Sequence, residues 1–228
     1  MTMLQPAESL PEVARVPAPW SLRGHAWMVV LRLPAGDAAR TAFVPPALQA
    51  TVKSALAVLV CVVYDEAPCG PYRELLFIPG TMQFGGARHP SISRILVSTW
   101  DSVVNGRRNW GIPKDRADFD WVHGEDGDRW RVTSDGRELC TLEFTEPTGV
   151  RLPLRTAWVP RKLGTLAQRL DGRTYYYRPE ARGGLRLCRV RRWHFDPELF
   201  PDLSSATVLA SLRIEDFEMV FPPARIVD

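Results

Sequence analysis

Short runs rich in β-branched and aromatic residues recur along the chain, separated by turn-forming residues. Nine of them read as strands: HAWMVVLRL (25–33), ALAVLVCVVY (55–64), YRELLFI (72–78), SISRILVST (91–99), RWRVTS (129–134), ELCTLEF (138–144), GRTYYYR (172–178), LRLCRVRRWHF (185–195) and SLRIEDFEMVF (211–221). Twenty prolines and sixteen glycines punctuate the sequence and leave little room for long helices. Strands at this spacing predict a mainly β fold, its sheet largely antiparallel and closed into a barrel or packed as a sandwich. Several runs, ALAVLVCVVY above all, are apolar throughout, which predicts strands covered on both faces. Asp126-Gly127 and Asp135-Gly136 mark tight hairpin turns. Helix is expected in three short peripheral places. PPALQATV (45–52) opens on prolines, and TWDSVVNG (99–106) is capped by Thr99 or Asp101 and stopped by Gly106. DLSSATVLAS (202–211) is a weaker third. With no internal repeat and no long linker, residues 1–228 read as one domain, with 1–20 as an extended N-terminal arm.

Composition narrows the function classes. The formal net charge of +3 is too small to argue for nucleic acid, and the densest basic run, RLCRVRRWH (186–194), alternates as a strand with one wet face does. Four scattered cysteines and four scattered histidines form no zinc-binding spacing, so no metal is expected. Cys61 and Cys188 lie inside apolar runs and read as buried thiols. The first twenty residues have neither a basic stretch nor an apolar one of the secretory kind, and the longest apolar run is too short to span a bilayer as a helix. A soluble, cytoplasmic protein is expected, with no nucleic-acid or membrane partner.

One lysine stands out. Of 29 Lys and Arg residues only Lys53, Lys114 and Lys162 are lysines, so the sequence uses arginine almost wherever it needs charge. An amine, unlike a guanidinium, loses its proton and becomes a nucleophile. Pro113 forbids helix through Lys114 and pushes Ile112 to an extended conformation. If 110–114 is extended, Trp110, Ile112 and Lys114 share one face and Asp115 takes the other. Loss of water among such neighbours disfavours an ammonium. In YRELLFI, Glu74 stands among Leu75, Leu76, Phe77 and Ile78, an expensive position for a carboxylate without a partner. It shares a strand face with Tyr72 and Leu76, and reads either as a salt-bridged residue or as a general acid/base. Arg23, just before the first strand, has the forked guanidinium that suits a substrate carboxylate. Tyr72, Trp110 and Arg107 complete the candidate substrate contacts.

GPYRE (70–74), followed some forty residues later by GRRNWGIPK (106–114), resembles the acetoacetate decarboxylase-like superfamily, with its P-Y-x-E strand and G-R-E-x-x-G-x-P-K segment. The C-terminal stretch from 191 onward is similar to that family's closing strands. The resemblance implies a closed antiparallel β-barrel around a cavity in which an amine forms a Schiff base with a small keto acid, without a cofactor. By position, Lys114 would be the Schiff-base lysine, Glu74 the carboxylate facing it and Arg23 the carboxylate-binding arginine. The chain also departs from the family pattern. Asp115 stands where the decarboxylase has a second lysine, Arg108 replaces the glutamate of G-R-E, and the strand before GPYRE, 54–64, has no carboxylate. Two readings follow. One is a lyase acting through Lys114 by decarboxylation or by an aldol or dehydration step. The other is a small-molecule-binding barrel in which Lys114 is ion-paired with Glu74. A homo-oligomer is an open alternative to a monomer.

Overall fold

The computed structural model describes residue 6 and residues 9–228. Numbered in chain order, its strands form four sheets. The largest has eight, in the order β11 (Thr148–Arg155), β14 (Glu180–Leu187), β16 (Thr207–Phe221), β1 (Trp20–Arg32), β2 (Ala57–Glu66), β3 (Tyr72–Ile78), β6 (Arg94–Val97) and β7 (Lys114–Arg116). A second sheet runs β15 (Val190–Phe195), β10 (Arg137–Thr145), β9 (Gly127–Ser134) and β8 (Asp118–Gly124). A third joins β12 (Leu166–Leu170), β13 (Arg173–Tyr177) and β17 (Arg225–Val227), and β4 (Thr81–Phe84) pairs with β5 (Ala87–Pro90). The α-helices are short: α1 (Pro46–Gln49), α2 (Trp100–Trp110) and α3 (Arg161–Gly164).

The fold is mainly β with short helices, as the residue pattern predicts, but the expected closed barrel is not formed. Among the described residues no sheet closes on itself: the large sheet ends at β11 and β7, which do not pair with each other. Nor is it wholly antiparallel, because β7 runs parallel to β6 and is reached through α2. The sheet buries itself by layering instead. Its register sends Trp27, Leu59, Cys61, Leu75 and Phe77 to one face, where they meet Trp130, Leu142 and Phe144 of the four-stranded sheet. The opposite face carries Leu22, Val62, Tyr64, Tyr72 and Ile95 beneath Val103 and Trp110 of α2 and Tyr177 of β13. Cover on both sides is why ALAVLVCVVY shows no alternation.

Three local expectations are corrected. DLSSATVLAS is not a helix: from Thr207 it enters β16, where Thr207 and Val208 pair with Arg32 and Leu31 of β1. Sheet pairing of β-branched residues there outweighs a weak helical pattern. LRLCRVRRWHF is two strands, β14 and β15, in different sheets. The helix after Thr99 does not stop at Gly106. Thr99 caps it by accepting from the Ser102 N–H, and it runs on to Gly111, whose φ of 60° gives a left-handed end. A Cβ at Gly111 would lie 2.2 Å from the Tyr175 ring, so both backbone and packing require glycine there. A mid-helix glycine costs only about 1 kcal/mol relative to alanine, less than the burial of Val103, Val104 and Trp110 supplies. The predicted arm is partly visible. Residues 11–19 form no helix or strand and are held on α2, where Asn105 bonds the Ala14 carbonyl and the Val16 N–H and Asn109 bonds the Val16 carbonyl. The rest of that expectation, on 1–5, 7 and 8, lies outside the described residues.

One charge cluster locks β6, α2 and β7 together. Asp115 of β7 is buried between Arg94 of β6, in direct contact, and Arg107 of α2, whose Nη2 stands 2.9 Å from Oδ1. Arg107 Nε also donates to the Lys114 carbonyl at 2.8 Å. Replacing Asp115 by Asn leaves two buried guanidiniums facing a neutral amide, which is expected to cost about 3–5 kcal/mol. Urea unfolding of Asp115→Asn measures this; a stability within about 0.5 kcal/mol of wild type, the range of an indifferent surface substitution, would show the cluster to be dispensable.

Candidate active site

Because Asp115 is held on one face of the large sheet, strand alternation turns Lys114 to the other. Lys114 pairs with Ile95 in the parallel β6–β7 ladder, Ile95 with Leu76, and Glu74 lies one inward-facing position along β3 from Leu76. The Lys114 ammonium reaches back across that distance: Nζ donates to Glu74 Oε2 at 2.8 Å and to Ser102 Oγ at 3.0 Å. Each of Lys114 and Glu74 is only 4% exposed. Nζ also sits 5.0 Å from the centroid of the Tyr72 ring, within cation–π range. Its stem passes over the backbone of α2 at Gly106, where a Cβ would stand 2.7 Å from Cδ and 2.9 Å from Cε. Ser102, Gly106 and Trp110 recur at the four-residue spacing that aligns side chains on one face of a helix, and that face is turned to the lysine.

Two phenols complete the polar part. Tyr64, opposite Tyr72 in the β2–β3 ladder, donates its hydroxyl to Glu74 Oε1 at 3.1 Å, so each carboxylate oxygen has a partner. Burial, and after it the charge of Glu74, push both phenols well above their ordinary range, so they remain hydrogen-bond donors at neutral pH. Burial likewise pushes the Cys69 thiol up to about 11 and raises Cys61, Cys140 and Cys188, which removes thiolates as rival nucleophiles. Among the described residues no three His, Cys, Asp or Glu side chains are placed to hold a metal ion.

The space in front of the amine is small and mostly apolar. Besides Lys114, Glu74 and the two tyrosines, its walls are aliphatic or aromatic, with Trp20, Trp110 and Phe221 packed edge to face across one side. The Trp110 indole is fixed by its bond to the Pro222 carbonyl at 2.7 Å. The cavity measures about 30 Å³, roughly the volume of one water molecule in the liquid, so a substrate needs a wall side chain to move. Two wall residues also border surface grooves: Leu22 a groove of about 440 Å³, and Ile92 one of about 450 Å³.

The structure thus brings together Lys114, Glu74, Tyr72 and Trp110 of the residues singled out from sequence. Trp110 arrives by a different route from the one expected, as the last residue of α2 and not as part of an extended segment. Arg23 and Arg107 are not in the cavity. Leu22 faces inward on β1, so Arg23 faces outward; its side chain is 59% exposed and bridges to Glu218 at 3.2 Å and Glu66 at 4.0 Å. Arg107 is spent on Asp115 and the Lys114 carbonyl. Ser102, Gly106 and Tyr64 were missed. The four-residue spacing of the first two would have exposed them had the helix been continued through Gly106, whereas Tyr64 depends on a strand pairing that no local pattern reveals.

Gly106→Ala tests the close approach of the stem. Alanine suits the helical backbone, so helix content is expected to be unchanged. A crystal structure of the variant is expected to show Nζ displaced and its 2.8 Å contact with Glu74 broken; an intact contact would show that the stem yields without consequence.

With the geometry in view, comparison with known proteins is informative. The chain matches the acetoacetate decarboxylase (ADC) family over residues 6–202. No curated protein sequence matches it significantly. Among solved structures it is similar to the acetoacetate decarboxylase of Legionella pneumophila subsp. pneumophila str. Philadelphia 1, with TM-score 0.72 and 13% identity, covering 96% of this chain and 93% of that one. It is also similar to an acetoacetate decarboxylase-like enzyme from Sphingomonas wittichii RW1, with TM-score 0.67 and 13% identity over 93% of this chain and 94% of that one. A third is the enduracididine biosynthesis enzyme MppR complexed with pyruvate, with TM-score 0.62 and 16% identity over 93% and 91%. At such identities these structures speak to fold alone, and the match over most of the sequence decides membership: the chain belongs to the acetoacetate decarboxylase family.

Proposed function

We propose that the protein is a Schiff-base-forming lyase in which Lys114 is the nucleophile and Glu74 carries protons. The observation behind this reading is a buried amine at the wall of a small, mostly apolar cavity, in contact with one carboxylate at 2.8 Å. Attack on a carbonyl carbon needs the neutral amine, and Glu74 is the group placed to take the proton an ammonium must give up. The amine adds to the carbonyl, water leaves, and an iminium forms. Its positive nitrogen then accepts the electron pair of a bond one carbon away, so that a carbon–carbon or carbon–oxygen bond breaks. Tyr64, holding the second oxygen of Glu74, orients the carboxylate, and Ser102 accepts from Nζ so that the amine is held in place. Tight walls exclude bulk water, which strengthens each of these interactions.

The same 2.8 Å contact favours a second reading, a binding protein whose buried cation is neutralised by Glu74. Trapping separates the two. With borohydride and a panel of small carbonyl compounds, intact mass is expected to show one adduct, mapping to Lys114 and lost in Lys114→Ala. Lys114→Arg keeps the charge but not the nucleophile and is expected to give none. Glu74→Gln is expected to slow adduct formation by about 10²–10⁴-fold, the usual worth of a positioned acid–base group. Absence of any adduct between pH 6 and 9 would leave the ion-paired binding protein as the account.

A further inference from the structure

The charges around Lys114 bear on substrate class, an inference that rests on the Schiff-base reading above. Among the described residues lining the cavity, Lys114 is the only cation and Glu74 the only anion. The arginines that might have met a substrate carboxylate are engaged elsewhere. Arg23 is on the outer face with Glu218, and Arg94 and Arg107 hold Asp115 on the far side of the sheet. Of the first-turn amides of α2, the Ser102 N–H is taken by Thr99 Oγ1 and the Val103 N–H by Thr99 O. Once Lys114 becomes an iminium its charge is balanced by Glu74. A substrate carboxylate would then be a second anion beside Glu74, against Leu76, Ile92, Ile95 and Ile112, with no cation left for it. An uncompensated carboxylate in such surroundings is strongly disfavoured, and a like charge nearby adds to the penalty.

We infer that this site takes a small uncharged carbonyl compound, an aldehyde or ketone, in place of the keto acid implied by the family resemblance. No carbon dioxide then leaves. The amine adds to the carbonyl and water departs. Glu74 takes a proton from the carbon next to the iminium, the C–H pair becomes a C=C bond, and the C=N pair returns to nitrogen as an enamine. A β-hydroxyl group can then leave, receiving that proton from Glu74 and departing as water. Hydrolysis of the remaining iminium frees Lys114 and an unsaturated ketone, so the net change is loss of water from the substrate.

The test uses shape-matched pairs on the wild-type protein, with borohydride trapping read by intact mass and peptide mapping. The pairs are 3-methyl-2-butanone against pyruvate and 4-methyl-2-pentanone against acetoacetate, with methyl acetoacetate as the uncharged ester of the second acid. Each trapping rate is divided by the rate on free lysine to remove intrinsic electrophilicity. The uncharged partner and the ester are expected to be trapped at Lys114 about a hundredfold or more faster than the acids, and Glu74→Gln is expected to narrow the ratio by removing the like charge. An acid trapped as fast as its uncharged partner overturns the substrate class while leaving the Schiff base intact. No adduct at Lys114 with any compound overturns both.

Discussion

The buried carboxylate of Asp115, shared between the guanidiniums of Arg94 and Arg107, is the constraint on which the site depends. Each of the three elements β6, α2 and β7 contributes one member, so the cluster sets the spacing of helix and strands together. It also sets register. Side chains alternate along a strand, so an Asp115 committed to one face commits Lys114 to the other. A slip of one residue would put the ammonium in the apolar core and the carboxylate in the cavity. Buried ion pairs contribute little net stability over well-packed hydrophobic residues, but breaking one is costly, so a slip that separated Asp115 from Arg94 and Arg107 would be disfavoured.

Helix α2 then finishes what the strands begin. Its inward face supplies an oxygen for the amine at Ser102, clearance for the lysine stem at Gly106 and an aromatic wall at Trp110. The glycine illustrates how a packing requirement overrides a local preference. It weakens the helix, yet a Cβ there would stand 2.7 Å from Lys114 Cδ, so the stem would have to shift. Its outward face, through Asn105 and Asn109, pins the segment leading to Trp20, so the aromatic side of the cavity is tied to the same helix. Cavity shape and amine position therefore respond to one rigid element.

Much of this is legible in the sequence. The two-residue period of YRELLFI placed Glu74, Tyr72 and Leu76 on one face, and the scarcity of lysine singled out Lys114. Unbroken hydrophobicity in ALAVLVCVVY announced a strand covered on both sides. What could not be read were facts of long-range pairing. Tyr64 reaches Glu74 only because β2 pairs with β3 in one register, and the sheet stays open because its edge strands β11 and β7 do not pair. Arg23 and Arg107 were misplaced for a common reason. A guanidinium's role is decided by which carboxylate reaches it first: Glu218 comes to Arg23 from a distant part of the chain, and Asp115, only eight residues from Arg107, is brought to it by the turn from α2 into β7. The helix was cut short because glycine is a good stop signal in general and only the packing shows that this one is a clearance.

The central claim is that burial and geometry make Lys114 the reactive amine of this chain. Competitive reductive methylation at neutral pH with formaldehyde, the smallest uncharged carbonyl, and cyanoborohydride measures this most directly, because Lys53 and Lys162 are exposed internal standards. Methylation of Lys114 ahead of both exposed lysines, despite its burial, is the predicted result. Complete methylation of Lys53 and Lys162 with Lys114 untouched until the protein unfolds would contradict the account.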